Sequence, residues 1–174
     1  MQHKDEAELI ARSLDGDHLA YAALVERYKN ALYHHCFVIV RSPEAAEDIA
    51  QETFITAYYK LVSYNPEYRL STWLFKIATN KALNYIKRAR HEITDVQTVL
   101  EQIVSARPDP QQQAEDAELH ACVERLQPKY RAVISLYYWQ GKSYPEIAHI
   151  VGVPEGTVKG WMHRAKSELR KELA

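Results

Sequence analysis

The sequence has little of what builds sheets, membrane spans or secreted domains. Only 5 of its 174 residues are glycine and 7 are proline. No stretch combines apolar/polar alternation with a flanking Asn-Gly or Asp-Gly turn, the pattern of a β-hairpin. No apolar run approaches the roughly 18 residues of a membrane span, and the first residues lack the apolar stretch of a secretory signal. We therefore expect an all-α, cytoplasmic protein.

Cysteine is scarce as well, and the sequence suggests no metal site. Cys36 and Cys122 stand alone, with no CxxC pair of a zinc site or redox motif, so we expect two reduced, partly buried thiols. His34 and His35 precede Cys36, but neighbours on a helix point apart and lack the i, i+4 spacing of HExxH. A glycine-rich phosphate-binding loop is also missing. The sequence thus predicts no metal, cofactor or catalytic residue.

Charge of either sign is nearly balanced, but it is unevenly distributed. The net charge is −1, yet residues 1–91 carry 12 basic and 11 acidic residues, 92–120 carry 1 and 7, and 121–174 carry 9 and 5. Six basic and no acidic residues lie between Tyr68 and His91, a local surface suited to phosphates. Because phosphate neutralisation supplies most non-specific DNA affinity, a near-neutral chain should bind DNA weakly alone and need a partner.

Helical periodicity dominates both ends of the chain and lapses between them. Asp17, Ser42 and Ser143 are placed to cap helices, and Ser143 forms a capping box with Glu146. A fourth helix is predicted from about Trp73 to Arg90, capped by Ser71 or Thr72. The segment Arg107-Pro108-Asp109-Pro110 and three glutamines break the pattern. We expect two small helical domains, a bundle over 1–91 and a four-helix domain over 114–174, joined by a flexible acidic linker over 92–113.

Residues 144–163 fit a helix-turn-helix. The small Ala148 suits the steep crossing of two helices, Gly152 suits the turn, and apolar residues at Ile147, Val151, Val153 and Val158 can face a core. A plain helical hairpin would also use alanine and glycine at such positions. Basic residues on the second helix favour the DNA-binding interpretation: Lys159, Arg164 and Lys166.

The fourth predicted helix carries a polar stripe. Lys76, Asn80, Asn84 and the pair Lys87/Arg88 recur about every fourth residue, opposite apolar positions that include Leu74, Ile77, Ala78 and Tyr85. Asparagine offers a donor and an acceptor to a base edge, and lysine supplies charge along a nucleic-acid backbone. An ordinary solvated face would have the same pattern, so the stripe alone leaves both interpretations open.

Three segments together resemble a known family. SYPEIAHIVGVPEGTVKGWMHRAKSELR at 143–170, AEDIAQETF at 46–54 and STWLFKIATNKALNYIKR at 71–88 are similar to the extracytoplasmic-function (ECF) group of bacterial RNA polymerase sigma factors. The resemblance covers about residues 8–91 and 114–173. It implies a transcription initiation factor that directs core RNA polymerase to promoter DNA and promotes melting without catalysing a reaction. It also implies a monomer when free, commonly held by an anti-sigma factor that can be membrane-bound.

The resemblance assigns roles to the two domains and to particular residues. It implies that 1–91 docks on the polymerase and recognises and melts the minus-10 element, and that 114–174 reads the minus-35 element. The implied polymerase-docking residues are Asp48, Gln51, Glu52 and Phe54. The implied minus-10 residues are Tyr64, Tyr68, Arg69, Ser71, Trp73, Lys76, Asn80, Asn84, Lys87 and Arg88. The implied minus-35 residues are Thr157, Lys159, Gly160, His163, Arg164 and Lys166.

One position departs from the family pattern. Similar proteins commonly have Ser-Arg after the lysine of the second helix, whereas this chain has Gly160-Trp161. The change removes a hydroxyl and a positive charge and adds an aromatic ring. The minus-35 sequence preferred by relatives therefore does not carry over, and Trp161 could equally fill the core.

Two other classes of protein compete with this interpretation. An autonomous regulator can end in a similar helix-turn-helix domain, but it would usually add an α/β sensor domain or a dimer seam, and neither pattern is visible. An adaptor that binds polymerase alone would not need the basic stretch at 76–90. Initiation at new promoters with added core polymerase would separate a sigma factor from both.

Overall fold

The computed structural model describes residues 2–92 and 114–172, and every regular element in these ranges is helical. The all-α prediction is confirmed. The proposed linker 92–113 lies, apart from its first residue, outside the described residues. A 3₁₀ turn, Leu61–Ser63, follows the third helix and a π-helical turn, Ser135–Trp139, follows the sixth. The α-helices are α1 Gln2–Leu14, α2 His18–Val40, α3 Pro43–Lys60, α4 Leu70–Glu92, α5 Ala114–Arg125, α6 Pro128–Ile134, α7 Tyr144–Val151 and α8 Glu155–Glu172.

Three predicted helix caps are present. The Asp17 carboxylate accepts hydrogen bonds from the backbone N–H groups of Leu19 and Ala20 at 2.9 and 3.1 Å. The Ser42 hydroxyl caps α3, whose first residue is proline. Ser143 and Glu146 form the reciprocal capping box of α7. Each cap satisfies N–H groups that the helix leaves without a partner, so it fixes where the helix begins.

The predicted start of α4 is wrong. The helix begins at Leu70, three residues before Trp73, and Ser71 and Thr72 lie inside its first turn instead of capping it. Leu70 is buried in the core, which anchors the start of the helix. Ser71 accepts a hydrogen bond at 2.7 Å from Lys142, two residues before α7, and Thr72 donates to Glu146 of α7.

Each half of the chain contributes packed helices to one connected apolar core. In the N-terminal half, α2, α3 and α4 pack on one another and α1 packs on α2. In the C-terminal half, α6 and α7 pack on α8. Fully buried side chains of the first half include Leu32, Ile39, Ala46 and Ala78, and those of the second include Val133, Ile147, Ile150 and Val158.

The two halves are also packed against each other, which the sequence did not predict. Helix α2 contacts α6, and α4 contacts α7. His35 of α2 lies in this contact with its side chain fully buried. One ring nitrogen bonds to the Thr79 hydroxyl of its own half at 2.8 Å and the other to the Ser135 hydroxyl of the opposite half at 2.9 Å. Burial lowers the pKa of His35 to about 3, so the ring is neutral at physiological pH.

A buried arginine makes a second contact between the halves. The guanidinium of Arg131 donates to the Ile39 carbonyl in α2 and, within its own half, to the Leu126 carbonyl at 2.6 Å. Burial lowers the pKa of Arg131 to about 10, which leaves it charged at neutral pH. Nearby, Arg41 pairs with Glu124 across the contact at 2.9 Å. Buried charges require such partners, because an unpaired one would lose its hydration without compensation.

The neutral imidazole of His35 makes stability dependent on pH. The pKa of His35 in the folded protein lies below its ordinary value. The full stabilisation that neutral His35 gives to the fold is therefore present above about pH 6.5. That stability is lost at up to about 1.4 kcal/mol per pH unit as pH falls below 6.5. We expect His35→Gln, which bonds but does not titrate, to lose less stability than wild type between pH 7.5 and pH 5, by about 2 kcal/mol. Urea unfolding at both pH values measures this. Equal losses in the two proteins would contradict it.

Candidate nucleic-acid interface

The polar stripe of α4 lies on the surface. Asn80, Asn84, Lys87 and Arg88 are exposed and Lys76 is half-buried. The opposite side of α4 faces the core through Leu74, Phe75, Ala78 and Ala82. Tyr85, which was expected on that buried side, is 43% exposed. The helix thus presents two amides and several cations along one accessible face.

The loop before α4 holds three of the predicted residues beside a groove. The Tyr64 hydroxyl donates to the Tyr68 carbonyl at 2.6 Å, and the Tyr64 and Trp73 rings lie 5.5 Å apart. Trp73 is half-buried against the core, so it supports Tyr64. A groove of about 450 Å³ runs between this loop and α1. Its lining includes Tyr64, Tyr68 and Arg69 from the loop and Glu6, Ile10 and Leu14 from α1.

The α1 wall of this groove was missed by the sequence analysis. Glu6 accepts a short hydrogen bond from the Tyr28 hydroxyl, and Arg27 pairs with Asp5 at 2.6 Å. These contacts fix α1 on α2. They join residues 22 positions apart in sequence, which no local pattern indicates.

The C-terminal half covers one end of this surface. The ring of Tyr68 stacks on His149 of α7, with centroids 4.1 Å apart and planes 9° from parallel. Lys142 donates to Ser71, and Thr72 donates to Glu146 at 3.2 Å. Burial lowers the pKa of Lys142, although the neighbouring Glu146 carboxylate partly offsets this. Two residues predicted to meet DNA, Tyr68 and Ser71, are therefore occupied by contacts within the chain.

Helices α7 and α8 have the geometry of a helix-turn-helix. Gly152 ends α7 with a φ of 72°, a left-handed conformation that glycine adopts readily, and its N–H bonds to the Ala148 carbonyl at 2.9 Å. Ile147 and Val158 are fully buried between the helices. The half-buried Val151 and Val153 pack against the same core. The turn thus holds α8 with one side free.

The free side of α8 carries most of the residues predicted to read DNA. Lys159, Gly160, His163 and Arg164 are exposed and Thr157 is half-buried. Lys159 pairs with Glu155 one turn away at 2.9 Å. A Cβ atom at Gly160 would meet nothing within 4 Å, so the backbone is accessible there.

Lys166 does not belong with this group. Its ammonium lies 5.8 Å from the ring centroids of both Tyr137 and Tyr138, on the flank of α8. A hydrogen bond with the Tyr138 hydroxyl raises the pKa of Lys166. A groove of about 530 Å³ follows on that flank, lined in part by Trp139 and Leu169. The sequence placed Lys166 by its charge, whereas the aromatic residues that hold it lie almost 30 positions earlier.

The predicted docking helix, α3, presents an acidic and then an apolar surface. Asp48, Gln51 and Glu52 are exposed, and Glu52 pairs with Lys81 of α4 at 3.2 Å. Phe54, the fourth predicted docking residue, is only 9% exposed and lies in the core, so it supports the helix from inside. Along the outer side follow Ile55, Tyr59 and Val62, which are 58%, 80% and 87% exposed. This stripe was missed by the sequence analysis, although the i, i+4, i+7 spacing of the three residues could have indicated it.

The cysteines and histidines form no candidate metal centre in the part of the chain that the structure describes. Cys36 and Cys122 are both buried and free, and burial raises the pKa of Cys36 to about 12. Both ring nitrogens of His35 are hydrogen-bonded, to Thr79 and Ser135.

None of the described helices is long and apolar enough to cross a membrane.

Comparison with known proteins places both halves in one family. The family described as Sigma-70 region 2 matches residues 24–92, and Sigma-70, region 4, matches residues 116–169. The ECF RNA polymerase sigma factor SigW of Bacillus subtilis is 36% identical over 170 residues, covering 91% of each chain. SigM of the same organism is 29% identical and covers 84% of this chain and 91% of its own.

Solved structures agree with these matches. CnrH in complex with the cytosolic domain of CnrY is similar with a TM-score of 0.70 and 26% identity, covering 97% of both chains. RpoE of Bartonella quintana in complex with the anti-sigma factor NepR gives a TM-score of 0.75 at 25% identity, covering 88% of this chain and 96% of its own. These matches do not favour an autonomous helix-turn-helix regulator. The chain belongs to the ECF group of RNA polymerase sigma factors.

Proposed function

We propose that the two halves of this sigma factor divide promoter recognition between them. Residues 1–91 dock on core RNA polymerase and capture the minus-10 element, residues 114–174 read the minus-35 element, and residues 92–113 link them. The observation that carries this proposal is the exposed stripe of Asn80, Asn84, Lys87 and Arg88 on α4, the helix that follows the loop lining the groove beside Tyr64. The protein acts in the cytoplasm, where bacterial RNA polymerase works.

The minus-10 surface melts DNA by capturing a base. Extruding a base costs a few kcal/mol, which hydrogen bonds and stacking must offset. The groove of about 450 Å³ falls within the size range of small-ligand sites, roughly 300–1,000 Å³, and aromatic and polar groups line it. Tyr64 and Tyr68 supply stacking surfaces, Asn80 supplies a donor and an acceptor, and Lys76 with Arg69 contacts the backbone. This binding breaks no covalent bond, so the chain needs no catalytic residue.

The docking surface on α3 suits a basic partner with an apolar edge. Asp48 and Glu52 provide negative charge, and Gln51 lies between them. In the family, the corresponding helix meets the coiled-coil clamp of the polymerase's largest subunit. The exposed Ile55 and Tyr59 extend the same side of the helix, so the buried centre of the interface would be apolar and its rim polar.

The free side of α8 suits a major groove. Arg164 is exposed, and arginine forms a bidentate contact with guanine that is worth about 1–3 kcal/mol of discrimination. Thr157, His163 and the accessible backbone at Gly160 lie on or beside the same face. Phosphate contacts around them set the register of the helix on the duplex.

The minus-10 and minus-35 elements cannot be contacted at the same time while the two halves are packed together. Elements about 25 base pairs apart lie roughly 85 Å apart along B-form DNA at 3.4 Å per pair. Here Thr72 of α4 lies 3.2 Å from Glu146 of α7, the helix that precedes α8. The halves therefore separate when the protein acts with polymerase. We expect an anti-sigma factor to bind this closed form, in which the halves are packed together; the similar RpoE forms a complex with the anti-sigma factor NepR.

Sigma activity and its division are tested together by run-off transcription. Core polymerase plus the wild-type protein should produce discrete new 5′ ends on pooled bacterial genomic DNA, sharing two upstream elements. Asn80→Ala should impair open-complex formation and spare polymerase binding. Arg164→Ala should reduce minus-35 discrimination by about 1–3 kcal/mol and spare docking.

Circular dichroism of each variant serves as the control for folding. No new starts from a folded wild-type protein that binds DNA by itself would contradict the sigma assignment. Loss of polymerase binding in both variants would contradict the division between halves.

Separation of the halves is tested by removing contacts that join them. In Lys142→Ala/His149→Ala, the bond to Ser71 and the stack on Tyr68 are lost, together with the ion pair of Lys142 with Glu146 in its own half. We expect a larger radius of gyration of the free protein by small-angle X-ray scattering and faster open-complex formation with core polymerase. Lys60→Ala, an exposed change on α3, is the matched control. An unchanged radius and rate would show that these contacts do not restrain the halves.

A further inference from the structure

Trp161 lies where the side of α8 that reads DNA meets the core of the C-terminal half. It is half-buried and packs against that core. Thr157, Trp161 and Arg164 are spaced i, i+4 and i+7, so they follow one another along the same side of the helix. The indole ring is thus the immediate neighbour of two residues on the reading side.

A lysine from another helix lies over this ring. The ammonium of Lys129, in the first turn of α6, is 5.6 Å from the Trp161 ring centroid and 5.1 Å from that of Tyr130. Among residues 5–90 and 120–171, whose side chains the structure describes, no ion pair of Lys129 is found. A cation near an aromatic face is attracted by the ring quadrupole, most strongly by tryptophan. The two rings therefore hold a positive charge beside α8 without neutralising it.

Neighbouring lysines on α8 are occupied in other ways. Lys159 pairs with Glu155 at 2.9 Å, which reduces its net charge toward a phosphate. Lys166 lies over Tyr137 and Tyr138 on the flank of the helix. Lys129 therefore adds a cation from α6 to the side of α8 that carries Thr157 and Arg164.

We propose that Lys129 contacts a backbone phosphate of the minus-35 duplex and that Trp161 is the positioning residue that holds it there. This rests on the proposed function, because it assumes that α8 enters the major groove. A duplex that seats a helix in its groove brings phosphates along both sides of that helix. Gly160-Trp161 then does not leave the interface short of charge, because Lys129 supplies a positive charge from α6. Such a contact fixes register and carries no base preference.

The salt dependence of binding tests the phosphate contact. Polymerase containing the wild-type protein or Lys129→Ala is titrated with a promoter duplex, chosen from the run-off start sites, between 50 and 200 mM salt. We expect the slope of log K against log salt to be shallower by about 0.9 in the variant. The affinity ratio of wild type to variant should then grow roughly threefold as salt is lowered fourfold. The loss should be equal for duplexes with altered minus-35 bases, unlike the loss in Arg164→Ala.

Variants at Trp161 test the positioning role. Trp161→Leu keeps an apolar side chain but removes the ring, so it should reproduce the shallower slope, and adding Lys129→Ala to it should change little more. Trp161→Arg places a cation on α8 itself and should restore the slope in the Lys129→Ala background. Thermal unfolding of each variant separates these effects from loss of the fold.

The salt slopes of the variants separate the alternatives. A wild-type slope in Lys129→Ala overturns the phosphate contact, and a loss confined to certain minus-35 sequences would make Lys129 a base contact instead. A wild-type slope in Trp161→Leu overturns the positioning role. If the wild-type protein itself produces no promoter-specific starts, the proposed function has failed rather than this inference.

Discussion

The arrangement of the molecule depends on polar groups buried between its halves. The His35 ring bonds to a hydroxyl from each half, Arg131 reaches a carbonyl at the end of α2, and Lys142 reaches a hydroxyl in the first turn of α4. Buried polar groups are tolerated only when they are hydrogen-bonded. Water can replace each of these partners, so separation exchanges one set of hydrogen bonds for another. A contact of this kind specifies one closed geometry and can still be reversible.

The closed geometry decides which functional surfaces are accessible. The docking helix α3 and the outer side of α8 are exposed, whereas the loop before α4 is partly covered by His149. Glu52 on α3 pairs with Lys81 on α4, and the two helices pack on each other, so the proposed docking surface and the proposed DNA-reading helix belong to one bundle. The proposed docking surface is thus exposed while the proposed minus-10 surface is still partly covered.

Features encoded by local interactions could be predicted from the sequence. The caps at Asp17, Ser42 and Ser143 involve residues two or three positions apart, and the stripe around Asn80 follows from helical spacing. The start of α4, the burial of Phe54 and the contact between the halves depend on residues far apart in sequence, as with the 100 positions between His35 and Ser135. The α1 wall of the groove and the aromatic site of Lys166 were missed for the same reason. Assignment of individual residues to DNA or polymerase stays a prediction.

The bonds of His35 also bear on how freely the halves can be recombined. Domains joined by a linker are often treated as interchangeable modules, since each retains its own core. In this chain the ring in α2 needs a hydroxyl at position 135, and the carbonyl of Ile39 needs the guanidinium at 131. A chimaera could join this N-terminal half to a relative's C-terminal half. It would adopt the closed form only if the incoming half carried both groups. The two halves of one chain must therefore match each other at these positions.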